Sequence, residues 1–555
     1  MPTQHRTWET VTTGNGCREF MRLTILICLS AILGCIATFA DNQPVPQMSP
    51  EAVPLPTSGD ISNMFLPGPY YGPETFNPQE ATGIYGYKWP IITQRPLLEL
   101  GRELYVEGPF QEAPTILGKK NLMFADLQVF GDWRTAVGED DTGGKYFGTA
   151  ATRVDLDIDL KLTATERFHV FLRPFERNGE LTRWDFDGKD QDSQGIFNAN
   201  PLAYFFEGDA ARIVAGLTDH ENGFDLPFTV GLIPLLFQNG IWVQDAFLGG
   251  AFTIPAKHST FFDISNFDIT FFGGVDQVDS PAIINDKGQP AFHNDLIGFN
   301  AFIEALQGYF EVGYGYTKGD GGLHDLSYHN FAIAYSRRYR DWWSNSLRFI
   351  LNEGQHIGAG EQPTAEGQLL LMENSLIGDS PYFLLPYLNF FAGFDRPQPL
   401  ARGPGTGGVL VNTGILFETD GLTGLPTLNA TAANRYGGAF GVEHIFFPTL
   451  RPEDVERHWR NLVDIVHRQD QQLLGPPGEQ VALQVGQVVL ETAVVKVRDN
   501  TGPNRDTTLG DEFGVGARFQ YTLSNMWILR ADVMHDWRDF AKDSSGARLE
   551  VRMKF

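Results

Sequence analysis

Residues 547–555 read A-R-L-E-V-R-M-K-F: Ala547, Leu549, Val551, Met553 and Phe555 alternate without error with Arg548, Glu550, Arg552 and Lys554. Successive side chains of an extended chain point to opposite faces, so the apolar groups share one side of a strand and the charges the other. A soluble sheet seldom carries four charged side chains in a row on one face. A barrel wall with lipid outside and water inside requires that segregation.

The pattern recurs upstream. Over 513–523, Phe513, Val515, Ala517, Phe519, Tyr521 and Leu523 oppose Gly514, Gly516, Arg518, Gln520 and Thr522. Over 527–538, Trp527, Leu529, Ala531, Val533 and Trp537 oppose Arg530, Asp532, Asp536 and Arg538. Over 154–164, Val154, Leu156, Ile158, Leu160, Leu162 and Ala164 alternate with Asp155, Asp157, Asp159, Lys161 and Thr163. Three aspartates two residues apart share one face, which only water or counter-charges make tolerable. Each segment is close to the ~9–11 residues that cross a bilayer at a barrel's tilt.

Weaker alternation marks 122–133, 168–175, 202–207, 228–237, 241–254, 261–275, 297–306, 309–316, 328–338, 346–352, 368–376, 385–394, 409–417, 436–447 and 481–497. The expectation is an all-β, closed antiparallel transmembrane barrel of roughly 16–18 strands, an even number because both ends of the chain then lie on one side.

Composition agrees. The 555 residues include 60 Gly and 13% aromatics, and mean hydropathy is only −0.19. Apolar content without apolar runs is what a wall greasy on one side and wet on the other shows. Past residue 40 nothing approaches the ~18 consecutive apolar residues of a spanning helix. A net charge of −26 argues against nucleic acid as a partner.

The three cysteines, Cys17, Cys28 and Cys35, lie in the first 40 residues, so the remainder has neither a disulfide framework nor a Cys-based metal site. Residues 1–40 read as leader and signal peptide: Met21-Arg22, an apolar stretch over 23–36, and small residues at Thr38 and Ala40 before Asp41, with residues 1–20 upstream of the natural start. The rival is a lipoprotein signal with Cys35 as the lipid-carrying residue, which the bulky Leu33 fits poorly. Residues 41–96 form a Pro-rich, disordered periplasmic arm, and 97–555 the barrel.

Turns alternate in character. Ser524-Asn525 is a tight connection, whereas 499–512 and 540–546 are longer and polar. One insertion breaks the strand pattern: over 452–474, Val455, Trp459, Leu462, Val466 and Leu473 fall at helical spacing, and Gly475-Pro476-Pro477 stops the run. This is an amphipathic helix, placed by strand counting on the periplasmic side, packing on the barrel rim or, as a rival, docking a partner.

Parity turns Asp155, Asp157, Asp159, Arg518, Arg530, Asp532, Arg548, Glu550 and Arg552 toward the lumen as candidate pore-lining residues. The last three strands are neighbours, so Arg518, Arg530 and Arg548 or Arg552 form a basic band; Arg337-Arg338 with Arg340 form a second basic cluster. The 154–164 strand lies near the seam of a closed barrel. Its aspartates either neutralise the band or set a field across the bore.

Acidic residues at alternate positions of 185–195 imitate a calcium loop, but counted from Asp190 the twelfth position is Pro201 where a bidentate Glu is needed. An acidic loop without a metal is expected. Hydrolase, metalloprotease, P-loop and dinucleotide motifs are missing, and His169, His444 and His535 have no evident nucleophile partner, so no cofactor and no catalysis are expected. Trp342-Trp343, Trp527, Trp537, Tyr339 and Phe446-Phe447 sit at strand ends, where aromatic girdles meet the lipid interfaces.

Together the signal peptide, the Cys-free remainder, the amphipathic strands and a last strand closing on Phe resemble the outer-membrane porins of Gram-negative bacteria. The resemblance implies a barrel in outer-membrane lipid, passive passage of small solutes, recognition of Leu549, Val551, Met553 and Phe555 by the barrel-assembly machinery, and room for a homotrimer. The Pro-rich arm and the 452–474 helix depart from general porins. Rival readings are a substrate-selective or polymer-export barrel, a barrel-embedded hydrolase, and a soluble β-sandwich, which the charge ladders contradict.

Overall fold

A computed structural model describes residues 96–101 and 125–555, except 143, 164, 178, 188–189, 221–222, 286–290, 359–361, 378–383, 404–406, 419–421, 447–485, 499–509 and 525. The leader, most of the arm and the 452–474 helix lie outside the described residues.

The wall starts with β1 Asp126–Thr142, β2 Lys145–Lys161, β3 Arg167–Leu172, β4 Pro201–Asp209, β5 Pro227–Phe237 and β6 Val243–Ser259. It continues with β7 Ile264–Val278, β8 Asn294–Ala305, β9 Gly308–Lys318, β10 Tyr328–Tyr339, β11 Trp343–Glu353 and β12 Glu366–Leu376. It ends with β13 Leu385–Arg396, β14 Arg435–Phe446, β15 Gly486–Val497, β16 Glu512–Thr522, β17 Trp527–Arg538 and β18 Ser544–Lys554. Each pairs antiparallel with its chain neighbour, and β18 pairs back onto β1 from Asp132↔Lys554 to Thr142↔Ser544. The result is a closed antiparallel barrel of 18 strands. Closure satisfies every wall strand and leaves no open edge, as a bilayer demands.

The seam has one more feature. β1 runs past the end of β18, where Gly131 exchanges backbone hydrogen bonds of 2.7 and 3.0 Å with Phe555. Beyond that point a short strand, Leu98–Leu100, pairs with Leu127–Val129 and covers the overhang.

Even strand number puts β1's start and the C-terminus at one rim. Connections there are short at 260–263, 306–307, 340–342 and 523–526, while the opposite rim carries 173–200, 279–293, 354–365 and 397–434. β14 ends and β15 begins at the C-terminal rim. A helix, α1 Ala210–Thr218, fills the β4–β5 turn, with Asp209 as its cap: the carboxylate accepts from the N–H of Ala211 at 2.9 Å and of Arg212 at 3.0 Å.

Odd-even segregation runs through the wall. Val533 and Leu549 are exposed on the outer face while Asp532, Arg548 and Glu550 of the same two strands are buried on the inner one, and Leu490, Ile297, Val230 and Phe168 of other strands are exposed in the same way. Aromatics cluster outside near the rims, including Tyr339 stacked on Trp343 and Phe513 on Trp537. These features define a transmembrane β-barrel.

Two expectations are corrected. Residues 409–417 are not a strand but part of the β13–β14 connection, whose described residues, 397–403, 407–418 and 422–434, fold into the lumen. Their apolar character serves a dry contact inside the bore, not a lipid face. Residues 180–194 are a hairpin, Glu180–Asp187 against Asp190–Gln194, which extends the wall by pairing with β2. Among the described residues no cluster of metal-ligating groups occurs.

Candidate functional site

The 397–434 segment crosses the bore. At one end the carbonyl of Gln398 accepts from the amides of Asn330 and Asn352, each at 2.9 Å, and the carbonyl of Leu400 accepts from Thr317 Oγ1 at 2.9 Å. Leu400, Val409, Leu410, Leu416 and Phe417 then bury together with Trp242 of the β5–β6 turn and Phe247, Phe272, Leu369 and Phe391 of the inner wall. Burying each such side chain contributes about 1.5–3 kcal/mol, so this contact is firmly seated.

Across the bore the segment meets β15. The Glu491 carboxylate accepts from the N–H of Ile415 at 3.0 Å and of Leu416 at 2.9 Å, and from Tyr387 OH. Gly414 permits that approach, since a Cβ there would lie 2.5 Å from the carboxylate. Gly514 and Gly516 flatten the β16 wall under Leu416. At the root, Arg402 N–H donates to the Asp279 carbonyl at 2.9 Å, and burial pushes the Asp279 carboxyl up to about 7.

Toward the C-terminal rim the inner wall carries charge. Arg518, Arg530 and Arg548 converge on Asp532, their nearest nitrogens 2.7, 2.8 and 2.8 Å from its oxygens. Register explains the meeting: Arg518 and Arg548 lie directly opposite Asp532 on its two neighbours, and Arg530 is two residues away on its own strand. Glu550 is held in a fork by Arg134 of β1, at 2.6 and 2.7 Å. Glu418 of the luminal segment reaches in to Arg518 at 2.6 Å. Arg552 does not join the band; it pairs with Asp132 of β1.

The aspartate ladder keeps to its own strand pair. Asp159 contacts His169 Nδ1 at 2.5 Å and Arg167 at 3.0 Å; Asp157 lies 3.2 Å from His169 Nε2; Asp155 contacts Arg173 at 2.7 Å and Arg153 at 3.2 Å. The ladder therefore does not neutralise the C-terminal band. β1 stands between them, bonded to the band through Arg134.

The second basic cluster divides by parity. Arg337 faces out, its guanidinium 4.8 Å from the Tyr339 ring centre, while Arg338 lies on the inner face and Arg340 in the turn. Sequence reading passed over Arg134, Glu418 and Glu491. Extending the 122–133 segment by one residue reaches Arg134, but nothing local marks Glu418.

No family model matches the chain, and no curated protein matches it. The solved structures it is similar to include three outer-membrane porins of Pseudomonas aeruginosa. OccK5 (OpdH) shares 13% identity over 77% of this chain and 98% of that one, with a TM-score of 0.43. OccK2 (OpdF), solved in complex with glucuronate, gives 12%, 77%, 98% and 0.44, and OprD gives 11%, 77%, 95% and 0.41. Likenesses this loose decide nothing about solute; the barrel stands on its own strand pairing.

Proposed function

We propose that the chain is an outer-membrane channel of a Gram-negative-type bacterium, passing small hydrophilic solutes or ions by passive diffusion without catalytic turnover. The observation that carries this reading is the segregation within single strands: charged, ion-paired side chains on the inner face and bare apolar side chains on the outer face. A protein interior gains nothing from such a ladder of charges, whereas an aqueous bore lined by it sorts what passes.

The luminal segment favours small solutes over polymers because it occupies part of the bore's width. In this account Asp155, Asp157, Arg518, Arg530 and Arg552 line the path, while Asp159, Asp532, Arg548 and Glu550 share the inner face but are enclosed by their ion pairs. The barrel-assembly machinery, reading Leu549, Val551, Met553 and Phe555, and a homotrimer belong to the same proposal, supported by the outer face of β18 and by the likeness of the strands to porins.

Purified barrel added to a planar lipid bilayer should open stepwise, ohmic conductances without any added ligand. A folded, inserted barrel that stays electrically silent would contradict the reading.

A further inference from the structure

The root of the luminal segment is held by backbone hydrogen bonds. Leu400 N–H donates to the Trp242 carbonyl at 2.8 Å, Arg402 N–H to that of Asp279 at 2.9 Å and Gly403 N–H to that of Gln244 at 2.9 Å. Residues 401–402 thereby pair in parallel with the first two residues of β6. Two carboxyl groups are built into this seat. Asp245 accepts from the N–H of Ala246 at 2.8 Å and of Asp279 at 2.9 Å. Asp279 directly follows β7, and both residues are 8% exposed.

Among the described residues neither carboxyl group has a cationic partner, and Asp279 Oδ1 is buried without a hydrogen bond. The groups packed around the pair are committed elsewhere. The Arg402 guanidinium donates to the carbonyls of Gly240 and Gly408. The hydroxyl of Tyr328, on β10, lies 2.8 Å from that of Ser280 and donates toward the carbonyls of Pro399 and Leu400 at 2.9 and 3.0 Å. Farther out, Asp276 pairs with His293 at 2.6 Å and Asp295 with Lys318 at 2.9 Å. A buried carboxylate with neither a cation nor a donor is costly, so a proton is the remaining counter-charge.

We propose that Asp279 is a proton-operated latch: the seat at residues 400–403 is tight while this carboxyl group is protonated and slackens once it ionises. The seat and the titrating group are one piece of chain, because the Asp279 carbonyl and N–H are themselves two of the bonds that join the segment, β6 and β7. Burial pushes the Asp279 carboxyl up to about 7. Released into water it would ionise near the ordinary aspartate value of about 3.9. The seated form therefore holds an extra proton only between those two values. Seating weakens across that window as pH rises, by at most about tenfold per pH unit for one proton, and is level above and below it.

Hydrogen exchange of the full-length barrel in lipid vesicles, read on the peptide spanning 400–403 and corrected for the intrinsic pH dependence of exchange, tests the latch. Protection in wild type should fall from about pH 5 to about pH 7, approaching tenfold per unit, and then level off. D279N, neutral throughout and of the same shape, should keep the acid-side protection at every pH. D276N, whose carboxylate already has His293 as partner, should follow wild type. In planar bilayers, current flicker should grow over the same window in wild type and not in D279N. Wild-type protection that does not change with pH, or a D279N slope equal to wild type's, would overturn the inference. A barrel that shows the exchange slope but conducts nothing would keep the latch and remove the channel reading.

Discussion

Asp532→Asn should destabilise the barrel by about 3–5 kcal/mol, the range found when one partner of a buried ion pair is removed. Three guanidiniums converge on that carboxylate, and its side chain is wholly enclosed. The amide removes the negative charge and presents N–H groups to Arg518, Arg530 and Arg548, which can only donate. Their mutual repulsion would then lose its nearest opposing charge, although Glu418 and Glu550 remain within reach of Arg518 and Arg548. Urea unfolding in lipid vesicles, followed by tryptophan fluorescence, reads the effect. A midpoint shift of no more than the ~0–1 kcal/mol typical of surface pairs would show that the cluster is hydrated and not a structural clamp.

Glu491→Ala should release the luminal segment. Its carboxylate is the acceptor for two backbone N–H groups and one phenol, all inside the bore. Each buried donor left without a partner costs about 1–3 kcal/mol, enough to offset much of the apolar contact of Leu416 and Phe417. Single-channel conductance should rise severalfold and become noisy, with the barrel still folded because the wall pairing of β15 is backbone to backbone. Quiet, wild-type conductance from the variant would mean that the dry contact at Leu400, Val409 and Leu410 suffices to hold the segment.

Wall and lumen were unequally legible in the sequence. Strands such as 513–523 and 547–555 declare themselves because each residue answers to one of two solvents, and period two follows directly. The same rule misread 409–417: V-L-V-N-T-G-I-L-F is as apolar as a wall strand, yet it answers to a dry protein contact. The clue lay elsewhere, in Gly514 and Gly516 on the wet face of β16, where missing side chains leave room for Leu416. Parity also placed Arg518, Arg530, Asp532 and Arg548 on one face correctly. Pairing partners followed only where they sit on adjacent strands, so Glu418, one hundred residues from Arg518, was invisible. Grouping Arg337 with Arg338 ignored the parity rule itself.

The central claim is that alternate residues of single strands meet lipid and the bore. Single cysteines placed along 547–553 and 154–160, in a chain with no native cysteine after residue 40, and labelled with a fluorophore in vesicles carrying brominated acyl chains, test it directly. Quenching should be strong at 549, 551, 154, 156 and 158 and weak at 548, 550, 155, 157 and 159. Uniform quenching along either strand, or none at all, would contradict the account.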